Sequence, residues 1–441
     1  MNRRSEDRPF HLPPIEHHRT RGGLEVFIVP WHTLPLVNLD LILPAGAEAD
    51  PPGKGGLADL VAEMFTLGTK KQSASELAAR VDGMGASLSA HAGWDCTSVH
   101  VFGLREDLGS LLGLLLEVYT EPAFAPEEFE QLKKRHIALL TQQKDDSSLQ
   151  ADEAMTQILF RGTPYDHPSY GSLKTVPSLS IEEGQNFYHE HFLPEGSFLV
   201  VSGDVRADEV LPWIDAHFPS PAKREGKWDT LPPALPAPGM RFFLLPRPDL
   251  TQSQIRMGHL GIPHAHEDFI PFEVMNYALG GGGFSSRLMQ RIRVELGYTY
   301  GIRASLEPRR NPGPYCISTF TPTKTTFPCI QEILQVLRSF QEEGPKEFER
   351  TEATRFLTGS YPMKFETPGQ MAQRLIQAKI HGLDLSFLST YPQRVAEVSL
   401  ETMRRCAQTH LHPDRITVVV VGRSDPFRSD LERLGPVESM E

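Results

Sequence analysis

Cysteine is scarce in this chain of 441 residues, and its four cysteines stand far apart with no C-x-x-C spacing. This scarcity argues against a disulfide framework or a cysteine-based zinc site, and it is typical of proteins in a reducing compartment. No uninterrupted apolar run is long enough to cross a membrane. The N-terminal residues also lead into no apolar segment of the kind found in signal peptides. We therefore expect a cytoplasmic protein without a membrane span.

Positive charge is also in deficit. The chain has 44 lysines and arginines against 56 acidic residues, which gives a formal net charge of −12. Binding to nucleic acid usually needs a clustered basic face, so this balance argues against such a partner. The proportions of hydrophobic residues (39%) and charged residues (23%) are those of ordinary globular proteins.

A proline-rich stretch at residues 219–239 divides the chain into two sides of similar length, residues 1–218 and 240–441. Proline at this density predicts an extended spacer. Each side contains a proline followed nine residues later by a glycine that ends an apolar strand. Residues 191–194 precede the strand at 198–203, and residues 410–413 precede the strand at 416–422, an offset of 219 residues. Self-similarity over half the chain predicts an internal duplication.

Both halves begin with alternating apolar and polar residues that predict strands, at 37–43 and at 254–258. In the first half a further strand is predicted at 96–103, followed by long helices at 107–118 and 126–144. A strand, a helix, another strand and then helices, repeated in a second half, predicts an α+β fold with mixed or antiparallel sheets.

The helix predicted near residues 57–65 has two distinct faces. Apolar residues recur at the helical positions i, i+3, i+4, i+7 and i+8, namely Leu57, Leu60, Val61, Met64 and Phe65. The opposite stripe contains Asp59, Ala62 and Glu63. These three offsets hold a histidine, a glutamate and a second histidine in the inverted zinc motif H-x-x-E-H.

Residues 56–69 resemble the zinc helix of the pitrilysin and mitochondrial-processing-peptidase family, whose active members read close to G-x-x-H-x-x-E-H-M-x-x-x-G-T. The chain keeps Gly56, Met64, Gly68 and Thr69 in that register. The resemblance implies two related α/β-sandwich halves that face each other like a partly opened clamshell. It extends over nearly the whole chain.

The metal-binding positions differ from the family pattern. Asp59 and Glu63 replace the two histidines, and Ala62 replaces the glutamate that takes a proton from water. Family members draw a third ligand, a glutamate, from a helix roughly eighty residues downstream. The matching stretch here, residues 137–141, ends at Thr141 and contains no acid. We therefore expect no metal in this chain and no peptide hydrolysis by this chain alone.

Asp59 and Glu63 permit two interpretations. They are solvated acids on an amphipathic helix, or they bind a hard cation such as Mg²⁺ or Ca²⁺. Two carboxylates fall well short of the roughly 6–8 oxygens that Ca²⁺ usually takes. Two histidine-containing stretches, at 189–191 and 264–268, have the residue types of metal ligands. The first is interpreted as surface or capping histidines, and the second lies in a predicted loop.

The second half contains a glycine-rich segment followed by a helix, at residues 279–301. No Gly-Lys-Ser/Thr follows the glycines, so a phosphate loop is not indicated. The segment resembles the family pattern L-G-G-G-x-S-S-R-L, after which an arginine and a tyrosine seven residues apart hold the substrate in active members. Two pairs have that spacing, Arg293 with Tyr300 and Arg291 with Tyr298, and the alignment favours Arg293 and Tyr300.

The resemblance implies a role in proteolysis without a catalytic site of its own. In some enzymes of this family, a subunit lacking H-x-x-E-H pairs with a homologous catalytic subunit that has it. We expect this chain to be such a non-catalytic subunit, with unfolded peptides as substrates and zinc only in the partner. The alternatives are an inert structural or scaffold homologue and a peptidase with an unconventional metal. The sequence leaves open the partner, the substrates and homodimer formation in isolation.

Overall fold

A computed structural model describes residues 12–192, 196–218 and 238–440. The predicted proline-rich spacer at 219–239 lies almost wholly outside these described residues, as does Pro194. The strands in the described ranges are β1 (Glu16–Arg19), β2 (Glu25–Pro30), β3 (Leu36–Leu43), β4 (Ser87–Ala92), β5 (Thr97–Leu104), β6 (Phe198–Gly203), β7 (Arg241–Pro246), β8 (Gln252–Leu260), β9 (Ile302–Leu306), β10 (Pro314–Pro322), β11 (Thr417–Gly422) and β12 (Val437–Ser439).

Helices follow the strands in both halves. The α-helices in the described ranges are α1 (Leu57–Met64), α2 (Ala74–Gly83), α3 (Leu108–Thr120), α4 (Pro126–Gln143), α5 (Ser147–Leu159), α6 (Ile181–His191), α7 (Ala207–His217), α8 (Phe269–Asn276), α9 (Thr326–Glu343), α10 (Glu347–Ser360), α11 (Pro368–Ile380), α12 (Ser386–Ala396), α13 (Leu400–His410) and α14 (Arg428–Glu432). Two π-helical segments, Tyr277–Gly281 and Met289–Glu295, flank the glycine-rich turn. None of these helices combines the length and the apolar character needed to traverse a bilayer.

The strands form two six-stranded sheets of matching order. The first sheet runs β1-β2-β6-β3-β5-β4 and the second runs β12-β7-β11-β8-β10-β9. In each, the strand that ends the repeated sequence unit lies centrally, parallel to one neighbour and antiparallel to the other (β6 with β2 and β3, β11 with β7 and β8). This shared topology confirms the predicted α+β class and the two homologous halves.

The predicted elements agree with the observed ones to within a few residues. The strand predicted at 37–43 is β3, and the strand predicted at 96–103 is β5. Val99 and Val101 are buried on one face of β5, while Ser98, His100 and Phe102 on the other face are half-buried. The helices predicted at 107–118 and 126–144 are α3 and α4. Strong apolar periodicity made these predictions accurate.

The chain divides into two compact units that do not coincide with its linear halves. Among the described residues, the first unit comprises 12–137, 169–192, 196–218 and 360–392, and the second comprises 138–168, 238–359 and 393–440. Helix α11 from the C-terminal part packs on β2, β3 and β6, while α5 from the N-terminal part packs on β8 and β11. Each unit therefore takes one covering helix from the other side of the sequence midpoint.

Polar contacts fix both of these helices. On α11, Lys379 pairs with Glu25 of β2 at 2.7 Å. On α5, Asp152 accepts two hydrogen bonds from the nearly buried guanidinium of Arg256 on β8. Bidentate arginine–carboxylate contacts are directional, so they hold the helix in one register on its sheet.

Candidate functional site

Helix α1 begins at a buried carboxylate. The Asp50 side chain accepts hydrogen bonds from the backbone N–H groups of Gly56, at 2.8 Å, and of Ala58, at 2.7 Å. These amides at the helix start have no partner within the helix, so the contact satisfies them and fixes the start of α1. Burial raises the pKa of Asp50 to about 7, although the two amides lower it.

The four residues that keep the family register all have structural roles. Gly56 and Gly68 have φ angles of +93° and +101°, which side chains other than glycine rarely adopt. A Cβ on Gly56 would also stand 2.9 Å from the carbonyl oxygen of Tyr170. Met64 is fully buried, and the Thr69 hydroxyl donates to Glu117 at 2.7 Å. Backbone conformation and packing therefore account for these four residues, and no catalytic role is needed to explain them.

Ala62, at the position of the catalytic glutamate, is 0% exposed. Its methyl group cannot accept a proton, and its complete burial removes it from contact with any substrate. A longer side chain at this position would have to displace its packed neighbours. The position is therefore closed both chemically and sterically.

Asp59 and Glu63 lie together with a third residue, His136 of α4. One ligand atom from each of the three residues lies within 4.8 Å of the other two. We call these residues the α1–α4 cluster. Thr141, marked by sequence spacing as the third position, lies five residues further along α4 and is exposed. Five residues correspond to about 140° around a helix, so Thr141 and His136 lie on different sides of α4, and it is His136 that the structure brings to the two acids.

The hydrogen bond of His136 determines which of its nitrogens is free. Its Nε2 lies 2.7 Å from the carbonyl oxygen of Tyr170, and a carbonyl can only accept. Nε2 therefore carries a proton, and the neutral ring keeps a lone pair on Nδ1. A backbone carbonyl that orients the far nitrogen in this way is the usual second partner of a metal-binding histidine.

The two carboxylates of the cluster differ in their surroundings. Burial, together with repulsion from Glu63, raises the pKa of Asp59 to about 6. Glu63 is more open and pairs with Arg135 at 2.8 Å, where the arginine side chain is 56% exposed. Asp59 is thus not the freely solvated acid that the sequence suggested.

The resemblance implies zinc at this location, so the cluster can be tested against that metal. Zinc accepts imidazole nitrogen and carboxylate oxygen as ligands, and the cluster supplies one nitrogen and two carboxylates. The donor types therefore fit a metal ion, although the two histidines and one glutamate of active members are exchanged for one histidine and two acids. The residues do not fit a hydrolytic site, because Ala62 cannot act as the base.

His136 was missed because it sits in an otherwise apolar stripe. Phe129, Leu132 and Leu140 are buried on the same face of α4, and His136 is only 7% exposed. A single ionisable residue within a buried helical stripe needs a polar partner. The apolar stripe with its single histidine could be read from the sequence. It was overlooked because an acid was expected roughly eighty residues downstream of the α1 motif.

In the second unit, the two candidate arginines have different partners. Arg291 pairs with Glu295 and Glu332, each at 2.9 Å. Arg293 has no carboxylate partner among residues 238–440, and its guanidinium lies over the Phe284 ring at 4.5 Å from the centroid. Such cation–π contact holds the side chain without neutralising its charge.

The two tyrosines also differ. Tyr300 is 79% exposed, whereas Tyr298 is half-buried and its backbone carbonyl accepts from the Thr321 hydroxyl. Both arginines lie on the π-helical segment Met289–Glu295. π-helical turns are frequent at functional sites. No hydrogen bond joins Arg293 to Tyr300 within residues 238–440.

A polar cavity of about 570 Å³ lies beside this segment, lined by Arg287, Arg291 and several glutamates. Arg287 makes two hydrogen bonds to Glu349, at 2.6 and 2.7 Å, and Arg291 is paired as described. Both arginines are neutralised, and four glutamates line the cavity together with Lys346, so the cavity does not attract an anion. The glycines beside it serve packing, since a Cβ on Gly280 would stand 2.6 Å from that of Ala304.

A second group of ionisable residues comprises His266, Asp268 and His410, which we call the α8–α13 cluster. Both oxygens of Asp268 accept from Arg405, and one also accepts from His410 at 2.8 Å. Burial raises the pKa of Asp268, but these hydrogen bonds outweigh it and hold the pKa below its ordinary value. His266 accepts the backbone N–H of Asp268 through Nδ1, so its other nitrogen carries the proton. This cluster is an ion-pair network without a free ligand.

Two family models match most of the chain. The model described as insulinase (peptidase family M16) matches residues 29–172, and the model described as the peptidase M16 inactive domain matches residues 178–356. The chain belongs to the M16 peptidase family. Within that family it is a member without the H-x-x-E-H residues.

M16 relatives resemble this chain along most of its length. A Helicobacter pylori protein named non-peptidase homolog YmxG is 24% identical, with 88% of this chain and 90% of the relative covered. An uncharacterized zinc protease of Rickettsia bellii is 25% identical over 69% of this chain and 72% of the relative. The crystal structure of a peptidase M16 inactive domain from Pseudomonas fluorescens shares the fold, with a TM-score of 0.86 at 23% identity, covering 93% and 98% of the two chains.

Proposed function

We propose that this chain is the non-catalytic subunit of a heterodimeric M16 zinc endopeptidase. In this proposal, Arg293 and Tyr300 enter the active site of a homologous subunit that carries H-x-x-E-H. One contrast carries the proposal: Ala62 is fully buried where a base is needed, whereas Arg293 lacks a carboxylate partner in the described residues and Tyr300 is 79% exposed. The chain has lost the means of hydrolysis and retains two available hydrogen-bond donors.

The donors suit the binding of a peptide backbone. A guanidinium offers several fixed N–H groups and a permanent charge, and a phenol offers one O–H on a rigid ring. Donors placed where negative charge develops during attack on a carbonyl are each worth about 2.7–4 kcal/mol. Phe284 and Val294 are exposed on the same part of the chain and offer apolar contact to an unfolded substrate.

The ion pairs of Arg291 are the reason why Arg293 is the preferred candidate. Glu295 and Glu332 already neutralise Arg291, so its use by a substrate would require breaking two ion pairs. Arg293 needs only to leave the face of Phe284. Arg291→Ala and Tyr298→Phe therefore serve as matched controls for Arg293→Ala and Tyr300→Phe.

The test combines the purified chain with an M16 homologue from the same genome that carries the intact motif. Cleavage of an unfolded fluorogenic peptide is measured for each protein alone and for the mixture, with complex formation followed by light scattering. We expect cleavage by the mixture and none by this chain alone. Arg293→Ala should lower the kcat of the mixture by about 10²-fold, with Tyr300→Phe acting in the same direction and both controls near wild type.

Three outcomes would contradict the proposal. Cleavage by this chain alone would indicate an independent peptidase. A mixture that forms no complex or shows no cleavage would favour the scaffold alternative, with which the name of the Helicobacter pylori relative, a non-peptidase homologue, agrees. Equal loss in Arg293→Ala and Arg291→Ala would refute the assigned residues while keeping the partnership.

A further inference from the structure

The α1–α4 cluster is the part of the molecule whose chemistry the proposed function leaves unused. A non-catalytic subunit that lends Arg293 and Tyr300 to its partner has no need of ionisable residues at its own former metal position. Yet Asp59, Glu63 and His136 converge there, with one ligand atom of each within 4.8 Å of the others. Two carboxylates and one imidazole are a set of groups that can share a divalent cation.

We propose that Asp59, Glu63 and His136 bind one divalent transition-metal ion, of the Mn²⁺ or Zn²⁺ type, in a site that does not hydrolyse peptides. The site uses a ligand set of two carboxylates and one imidazole on α1 and α4. It departs from the expectation that this chain holds no metal. That expectation rested on the replacement of both histidines and of the glutamate base and on the absence of a third ligand; His136 supplies a third ligand.

The distances require only a small closure. Ligands at about 2.1 Å from an ion in tetrahedral array stand about 3.4 Å apart. The observed upper limit of 4.8 Å between the three atoms therefore calls for movement of about an ångström in flexible carboxylate side chains. Histidine, the least mobile of the three, is already fixed by its hydrogen bond to Tyr170 at 2.7 Å.

The charges also favour a divalent ion. Asp59 and Glu63 together carry two negative charges when ionised. Among the described residues, Arg135 is the one arginine that pairs with them, and its side chain is 56% exposed. Arg135 contacts Glu63 through a single nitrogen at 2.8 Å, which leaves the remaining carboxylate oxygens available. A doubly charged ion balances the two carboxylates while Arg135 turns to solvent.

The imidazole narrows the choice of metal. Mg²⁺ and Ca²⁺ prefer all-oxygen sites, whereas a nitrogen ligand combined with carboxylates suits Mn²⁺, Fe²⁺, Co²⁺ and Zn²⁺. The same argument separates this cluster from Glu48, Asp50 and Asp95, which also lie near the start of α1 but provide oxygens alone. Ala62 occupies the position at which active members carry the glutamate that takes a proton from water, so an ion bound here lacks that group.

The experiment uses the isolated full-length chain, stripped of metal with EDTA, and needs no partner subunit. Bound Mn²⁺ is counted by electron paramagnetic resonance, Zn²⁺ and Ca²⁺ are added as competitors, and the melting temperature is recorded with and without each ion. We expect one Mn²⁺ per chain, a higher melting temperature, displacement by equimolar Zn²⁺ and no displacement by a tenfold excess of Ca²⁺.

Variants assign the ligands. Asp59→Asn and His136→Gln should each weaken Mn²⁺ binding at least tenfold, and the glutamine amide can still donate to Tyr170 and so preserve the fold. Asp82→Asn and His189→Gln, which alter an exposed acid and an exposed histidine elsewhere, should bind as wild type. Melting curves in EDTA verify that each variant is folded.

Absence of stoichiometric Mn²⁺ or Zn²⁺ in the folded wild-type chain would overturn the proposal. So would unchanged binding in both Asp59→Asn and His136→Gln, or equal competition by Ca²⁺, which would show that the imidazole contributes nothing. These results are independent of any cleavage assay, so failure of the metal site and failure of the partnership can be told apart.

Discussion

The α1–α4 cluster and the α8–α13 cluster contain the same types of residue and differ in how those residues are satisfied. In the α8–α13 cluster, both oxygens of Asp268 accept from Arg405 and His410, and His266 uses its lone pair on a backbone amide. In the α1–α4 cluster, Glu63 accepts a hydrogen bond from Arg135, whose side chain is 56% exposed, and the neutral His136 ring keeps a lone pair on Nδ1. Residue type alone therefore does not identify a metal site. The deciding property is whether protein donors already occupy the ligand atoms.

The largest expected difference between the two clusters is the change in the free energy of unfolding when Asp268 or Asp59 is replaced by asparagine. Asp268→Asn should lower the free energy of unfolding by about 2–3 kcal/mol, because it breaks a buried ion pair. The loss falls below that of a fully enclosed pair, since the Arg405 side chain is 54% exposed. Asp59→Asn in EDTA should cost nothing or stabilise the chain slightly, because it removes repulsion with Glu63. Urea unfolding at neutral pH measures both values, and equal losses would contradict the comparison.

The pH dependence of stability should follow the acids near α1. Burial, with the charge of Asp95, raises the pKa of Glu48 to about 8, and burial raises the pKa of Asp50 to about 7. The folded state therefore binds more protons than the unfolded state between about pH 4.5 and 8. The free energy of unfolding should therefore fall as the pH rises from 5 to 8.5.

Glu48→Gln supplies the control for this pH profile, because it removes the group with the larger shift and should flatten the curve. Asp268 contributes in the other direction, since its lowered pKa stabilises the fold above pH 3.8 and this contribution is lost on further acidification. Melting temperatures between pH 5 and 8.5 in EDTA test the prediction. A wild-type curve that rises with pH throughout this range would refute it.

The smallest expected change in the free energy of unfolding follows from replacing Arg405 or Arg135, the arginines that pair with the acids of the two clusters. Arg405→Gln should cost about 1–2 kcal/mol, because Asp268 is buried and loses two charge-assisted hydrogen bonds. Arg135→Gln should change the free energy of unfolding by less than about 0.5 kcal/mol, since the Arg135 side chain is 56% exposed. Denaturant unfolding of both variants in EDTA gives the values. A greater loss in Arg135→Gln would show that Arg135 already serves as the counter-charge of its cluster.

The elements with strong periodicity could be predicted from the sequence, and so could the duplication. The apolar strands that end at Gly203 and Gly422 are the central strands of the two sheets, as their repeated spacing indicated. The loop containing His266 and Asp268 was also predicted. His410, which bonds to Asp268, lies over 140 residues further along the chain, and no local sequence pattern predicts such a contact.

The candidate site was predicted only in part. The sequence identified Asp59, Ala62 and Glu63 because α1 keeps the spacing of a known motif. The sequence did not identify His136, because the third ligand was expected to be an acid at a fixed distance along the chain. The burial of a histidine on α4 was not considered. The alignment already favoured Arg293 over Arg291. The ion pair between Arg291 and Glu332 could not be predicted, because it depends on how α9 packs.

The exchange of helices α5 and α11 has a practical consequence for anyone who wishes to dissect the molecule. A gene divided at the proline-rich stretch would encode a first fragment without α11 and a second without α5. Each product would expose the apolar sheet surface that its missing helix covers, and each would be expected to aggregate when expressed singly. Only co-expression, or fragments recombined to follow the true compact units, would restore a complete hydrophobic interior.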